Sequence, residues 1–198
     1  MNKNAKPVLV FATHNANKAR EVQQMLGAAY EVKTLADIGC HEEIPETADT
    51  LEGNARIKAM HVVEHYGLDC FADDTGLEVA ALEGRPGVRT ARYAGEPADS
   101  QQNMAKLLAE MKGATQREAQ FRTAICLVQS GREVLLEGVC KGTIATELSG
   151  AEGFGYDPVF MPAGETRTFA EMSSEEKNRL SHRGKAVRLM VETLLASR

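Results

Sequence analysis

VLVFATHNANKAREV, residues 8–22, changes character midway: five apolar or small residues run into Thr13, His14, Asn15, Asn17 and Lys18 before an amphipathic pattern begins. A short apolar run with a sharp polar edge reads as a buried strand over 8–12. Val22, Met25 and Leu26 share a helical face and Gly27 follows them, which predicts a helix over 18–26. EVKT, residues 31–34, is a second strand candidate, and strand–helix–strand is the signature of an α/β fold. At a strand-to-helix turn the free backbone N–H groups and the helix dipole favour an anion. Thr13 and Asn15 add hydrogen-bond donors there, and Lys18 adds a point charge on a flexible stem. The same residues would equally make a well-capped helix start with a surface lysine. The G-x-x-x-x-G-K-S/T phosphate loop is absent.

Outward from this unit, residues 35–48 read as a carboxylate-rich loop. A helix is expected to open near Asp49, with Glu52 as its capping-box partner and Leu51, Ala55, Ala59, Val62 and Val63 on one face. LDCFADDTGLEV then predicts a short strand ending in two aspartates and a glycine turn. A helix over 100–111 would turn Met104, Leu107, Leu108 and Met111 inward. Around Ser130–Gly131 the period becomes strand-like on both sides, which predicts a hairpin and hence a mixed sheet. Ser173 and Glu176 form a capping-box pattern, and a closing helix from Lys185 carries Val187, Met190, Val191, Leu194 and Leu195 inward.

The 198 residues suffice for one domain with a substantial core. No repeat, low-complexity tract or clean linker interrupts them. A hydrophobic share of 43% and a charged share of 26% are those of an ordinary globular protein. A net charge of −5 argues against a general nucleic-acid binder, though not against a phosphorylated small molecule met by a few local cations. No apolar run approaches the length of a membrane span, and the N-terminus lacks a secretory pattern, so a cytoplasmic protein is expected. Cys40, Cys70, Cys126 and Cys140 form no C-x-x-C pair and read as reduced, buried thiols. His14, His41, His61 and His65 show no metal-ligand spacing.

Four further stretches could carry chemistry. In FADDTG, residues 71–76, successive strand residues face opposite ways, so Asp73 and Asp74 should do different jobs. One can hold Mg²⁺ or orient water while the other braces the turn; a solvated Asp-Asp turn is the plain alternative. In HEEIPET, Glu42 and Glu43 read as solvated, whereas Glu46 precedes the helix that carries Asn54 and Lys58. That pair, four apart, shares a helical face and is expected to look toward solvent. In GFGYDPVF, Phe154 can stack on a planar base and Tyr156 and Asp157 can hydrogen-bond base or ribose, unless the stretch is an ordinary turn with Phe154 in the core. In EEKNRLSHRGKA, Lys177, His182 and Arg183 gather donors near an expected helix break at Gly184.

Taken in order, THNANK, ETADTLEGNARIKA, ADDTGLEV, GRPGVRTARYAG, GFGYDPVF and EEKNRLSHRGKA closely resemble the inosine triphosphatase family of non-canonical purine NTP pyrophosphatases, over nearly the whole chain. The resemblance implies an α/β fold: a long mixed β-sheet flanked by helices, one domain over 1–198 with two lobes and a central substrate cleft, as a homodimer. It implies Mg²⁺-dependent hydrolysis of ITP, dITP and XTP to the monophosphate and pyrophosphate, with a nucleotide as the partner rather than nucleic acid or membrane. Carried onto this chain, Thr13, His14, Asn15, Ala16, Asn17 and Lys18 would hold the triphosphate. Asp74 would be the catalytic carboxylate and a metal ligand, and Glu46 the second acidic member of the metal site. Thr75 would lie beside the substrate, where Ser is common in relatives. Phe154, Gly155, Tyr156 and Asp157 would line the base pocket, and Lys177, His182 and Arg183 would complete the contacts. Some relatives carry Glu-Glu where this chain has Pro45-Glu46.

Overall fold

A computed structural model describes residues 6–27 and 29–196. The expected opening unit is present: β1 (Val8–Phe11), α1 (Ala16–Leu26) and β2 (Glu31–Thr34), with β1 and β2 parallel. α1 starts two residues earlier than its apolar face suggests, because the polar turn itself forms the first helical turn. α2 (Leu51–Tyr66) follows, then β3 (Cys70–Val79), β4 (Pro86–Gly87), α3 (Ser100–Glu110), β5 (Glu118–Gln129), β6 (Arg132–Ile144), β7 (Phe160–Pro162), α4 (Ser174–Leu180) and α5 (His182–Ala196). The strands form one mixed sheet in the order β2-β1-β3-β5-β6-β7, with β4 beside β3. β1 and β3 are parallel, whereas β3–β4 and β6–β7 are antiparallel. Ser130 and Gly131 join β5 to β6 with φ of 50° and 78°, the positive pair that a two-residue hairpin turn requires.

Three sequence expectations need correction. β3 does not stop at the aspartates; it runs ten residues through Asp73, Asp74 and Thr75. α2 is capped by Thr50, whose hydroxyl accepts from Gly53 N at 3.0 Å, so the Asp49–Glu52 capping box is not used. The helix break falls at Ser181 rather than Gly184, and Gly184 lies within the first turn of α5. A side chain at Gly184 would put its Cβ 1.8 Å from the Asn178 carbonyl oxygen, so the turn between α4 and α5 closes only over a glycine. The Ser173–Glu176 capping box is formed as expected.

The chain divides into two compact units, one of Met1–Asp74, Ala124–Glu137 and Ala186–Arg198, the other of Thr75–Thr123 and Gly138–Lys185. In the first unit strand alternation sorts the apolar residues into two cores. Leu9, Phe11, Phe71, Ile125 and Leu127 point to one face, packed with Val22 and Leu26 of α1 and Val187, Met190 and Leu194 of α5. Val10, Ala12, Cys70, Ala72, Cys126 and Val128 point to the other, packed with Ala55, Ala59 and Val62 of α2. The second unit has its own core, built around Leu77, Val79, Leu107, Met111, Phe121, Val159, Phe160 and Phe169. All four cysteines are free and buried. Burial pushes the Cys70 thiol up to about 12 and those of Cys126 and Cys140 to about 11, which keeps these three protonated and inert. Among the described residues no helix is long and apolar enough to cross a membrane.

Candidate active site

The alternation that makes two cores also separates the two aspartates. Asp73 shares parity with Phe71 and meets α1: Lys18 Nζ donates to its Oδ1 at 2.8 Å, and Asp73 is buried. Asp74 shares parity with Ala72 and meets α2: Asn54 Nδ2 donates to its Oδ2 at 3.1 Å, and Lys58 Nζ stands 3.9 Å from its Oδ1. The expectation that Asn54 and Lys58 look toward solvent is therefore overturned. Both are buried, on one stripe with Leu51, Ala55, Ala59 and Val62.

Asn54 is 0% exposed and uses both ends of its amide, since its Oδ1 accepts from Ala48 N at 2.9 Å. It thereby fixes the orientation of Asp74 and the entry of the chain into α2. Lys58 also donates to the Glu46 carboxylate, which brings Glu46 and Asp74 to one ammonium. Burial raises the Asp74 pKa, against the opposing pull of Lys58 and Lys18. Burial alone would lower the Lys58 pKa, but Asp74, Glu46 and Asp73 outweigh it and leave it raised. Lys58 is therefore a buried, charged member of the cluster.

At the start of α1, Asn15 Oδ1 accepts from Asn17 N at 3.0 Å and Lys18 N at 3.1 Å, and Thr13 Oγ1 accepts from Asn15 N at 3.0 Å. The turn thus forms a well-capped helix start. The capping bonds occupy three N–H groups, and those of His14 and Ala16 make no hydrogen bond among the described residues. The His14 ring bonds the Glu42 carbonyl oxygen at 2.9 Å through Nε2.

The remaining predicted residues belong to the second unit. Asp157 Oδ2 accepts from Lys177 Nζ at 2.7 Å and from Phe154 N at 2.7 Å, and the Asp157–Lys177 pair is buried. Gly153 has φ +77°, and a Cβ there would lie 2.1 Å from Asp157 Oδ2, so this glycine makes room for the carboxylate that shapes the loop. The half-buried Phe154 ring has Lys177 Nζ 4.7 Å from its centroid and the Arg183 guanidinium carbon at 5.7 Å. Arg183 donates to Thr75 Oγ1 at 3.3 Å, and the Thr75 and Thr123 hydroxyls are 2.7 Å apart. His182 stacks on Phe121 with centroids 4.5 Å apart and planes 17° apart. Tyr156 lies in the core with its hydroxyl on the Thr90 carbonyl oxygen at 2.8 Å, and burial raises its pKa. It braces the loop from inside.

The comparisons with known proteins bear on this arrangement. A family model described as the Ham1 family matches residues 9–193. The chain belongs to the Ham1 family. Within it, the chain is 54% identical over 184 residues to a dITP/XTP pyrophosphatase of Flavobacterium psychrophilum, covering 93% of this chain and 97% of that one. It is 51% identical over 191 residues to a dITP/XTP pyrophosphatase of Porphyromonas gingivalis, covering 96% and 98%. The solved structure of the Staphylococcus aureus Ham1 protein superposes with a TM-score of 0.87 at 33% identity, over 96% of this chain and 100% of that one. The mixed sheet flanked by helices is thus the Ham1 fold.

Two Ham1-chain residues that sequence reasoning left off the site, Asn54 and Lys58, turn out to organise its acidic half. The signal was available: positions 51, 54, 55, 58, 59 and 62 form one i, i+3, i+4 stripe, so a polar residue within it must be buried with a partner.

Proposed function

We propose that this chain is a nucleoside triphosphate pyrophosphatase that hydrolyses dITP, ITP and XTP to the monophosphate and pyrophosphate, with Mg²⁺. Family membership and the printed activity of its relatives support the reaction class. One observation of the site supports the need for a cation. Glu46, Asp73 and Asp74 are three carboxylates gathered around two ammonium groups, Lys18 and Lys58, so the cluster carries an excess negative charge. Such a cluster would repel a polyanionic triphosphate that arrived without a metal. The donors that Glu46 and Asp74 offer are hard oxygens, which fit Mg²⁺. When bound, the ion would neutralise charge on the phosphate oxygens.

The chain's own residues divide the remaining work. The N–H groups of His14 and Ala16, the Thr13 hydroxyl and Lys18 hold the triphosphate, with Asn15 and Asn17 shaping the turn. Asp74, aimed by Asn54, orients the attacking water and takes its proton. Phe154 and Gly155 receive the purine, in a loop held by the Asp157–Lys177 pair and by Tyr156. His182 and Arg183 donate toward the 6-keto oxygen that hypoxanthine and xanthine have and adenine lacks, with Thr75 bracing Arg183. In the same reading the enzyme is a cytoplasmic homodimer; a sedimentation mass equal to one chain would remove the dimer.

The test is product analysis with dITP, ITP, XTP, dGTP, dATP and a pyrimidine panel in the presence of Mg²⁺, for the native chain and Asp74→Asn. Monophosphate plus pyrophosphate from the first three, lost in the variant at unchanged thermal stability, supports the reading. Release of orthophosphate would move the cleaved bond. Tight binding without turnover would make the chain a nucleotide-binding module.

A further inference from the structure

The loop that leads from β2 toward α2, and the outward side of α2 itself, bring three different donor groups to one point in the first unit. Cys40 Sγ lies 3.8 Å from His61 Nε2, and Glu42 Oε1 lies 3.1 Å from the same nitrogen. The ligand atoms of all three residues fall within 4.8 Å of one another. Cys40 is buried, His61 half-buried and Glu42 exposed, so the point is closed on the protein side and open to water on the other.

Two arguments favour a cation at this point. The first is distance. Zinc holds thiolate sulfur at about 2.3 Å and imidazole nitrogen or carboxylate oxygen at about 2.0 Å; at tetrahedral angles the S···N separation is then about 3.5 Å and N···O about 3.3 Å. The observed 3.8 and 3.1 Å differ from these by only a few tenths of an ångström. The second is valence. A neutral imidazole Nε2 carries either one proton or one lone pair. A proton there serves Glu42 and leaves the sulfur to the Tyr66 hydroxyl alone, while a lone pair accepts from the thiol and faces a carboxylate. A metal ion in the proton's place satisfies sulfur, nitrogen and oxygen together.

We infer that Cys40, Glu42 and His61 form a site for a thiophilic divalent cation of the zinc class, with water in the fourth position. Binding forms a metal–sulfur bond and releases the thiol proton to solvent. The soft sulfur separates this site from the all-oxygen pair Glu46 and Asp74, which suits a hard ion. His65 stacks on the His61 ring at 4.3 Å while its Nδ1 meets the His61 carbonyl oxygen at 3.0 Å, and the Tyr66 ring lies 6.4 Å from that of His61. His65 buttresses the imidazole ring, and the Tyr66 hydroxyl hydrogen-bonds the Cys40 side chain. Bound metal would tie the 40–42 loop to α2, the helix that carries Asn54 and Lys58, and the Glu42 carbonyl in turn touches His14.

The experiment uses the full chain, stripped with a chelator and titrated with Co²⁺ under reducing, oxygen-free conditions. One equivalent per chain should raise a thiolate-to-cobalt charge-transfer band in the near ultraviolet with intense visible bands of four-coordinate cobalt, and Zn²⁺ should bleach both. Cys40→Ser should abolish the charge-transfer band, and His61→Ala should weaken Co²⁺ binding about tenfold or more. Cys126→Ser should leave both unchanged, and Asp74→Asn should leave the charge-transfer band unchanged. Zn²⁺ should raise the melting temperature of the native chain and not that of Cys40→Ser. Absence of the band, its survival in Cys40→Ser, or its loss in Asp74→Asn would overturn the site.

Discussion

Replacing Asn54 by leucine removes two hydrogen bonds from one fully buried side chain while keeping the number and branching of its heavy atoms. The Ala48 N–H is half-buried and can recruit water, so its loss costs about 0.5–1.5 kcal/mol. The Asp74 carboxylate is buried, and a hydrogen bond to a charged group is worth about 1.5–3 kcal/mol. The sum is about 2–4.5 kcal/mol. For a chain of this size each kcal/mol shifts the melting temperature by about 2–4 °C, which gives a fall of about 10 °C. The catalytic consequence is separable from the stability loss. Without Asn54 the Asp74 carboxylate loses one of the partners that set its orientation, so on the proposed mechanism kcat for dITP should fall at temperatures where the variant is still folded, with KM changed less. Calorimetry or circular dichroism gives the first quantity and steady-state pyrophosphate release the second. An Asn54→Leu chain that melts within about 2 °C of the native chain and turns over normally would refute the assignment of Asn54 as the support of Asp74.

Three other substitutions test the rest of the framework. Lys177→Met leaves Asp157 buried without its cation and should cost about 3–5 kcal/mol, and adding Asp157→Asn should recover part of that loss; additive denaturation energies would show that the pair is not coupled. Tyr156→Phe should cost about 1 kcal/mol by urea titration while leaving the preference for dITP over dGTP unchanged; a shift in that preference would put the hydroxyl on the base. Lys18→Ala should raise the KM for dITP about tenfold, the equivalent of ~1.4 kcal/mol, and an unchanged KM would remove Lys18 from the triphosphate site.

The parts of the fold that were legible in the sequence are those whose signals are local. The apolar run of β1, the spaced apolar face of α1, the Ser130–Gly131 turn and the Ser173–Glu176 capping box each declare themselves within a dozen residues. β3 was misjudged because a run containing Asp73 and Asp74 looks like the end of a buried strand. What lets it continue is Lys18 from α1 and the Asn54–Lys58 pair from α2, partners far away in sequence. The same blindness to distant partners hid the burial of Asn54 and Lys58. It also hid the meeting of Cys40, Glu42 and His61, whose donors come from a loop and a helix with no ligand spacing between them. Tyr156 shows the converse: its setting between glycine and aspartate suggested a ligand contact, whereas Thr90 of the same unit takes its hydroxyl.

Because Asp73 and Asp74 serve opposite sides of one strand, the chemistry of this protein depends on whether an integer is odd or even. Deleting a single residue between Cys70 and Asp73 would carry Asp74 into the place facing Lys18, and inserting one would carry Asp73 into the place facing Asn54, in each case moving the other carboxylate off its partner. Such a chain could keep its full strand content and still be chemically dead. A two-residue change would restore the facing but slide both carboxylates about 6.7 Å along the strand, off Lys18 and Asn54, so the length of this stretch should admit no variation at all.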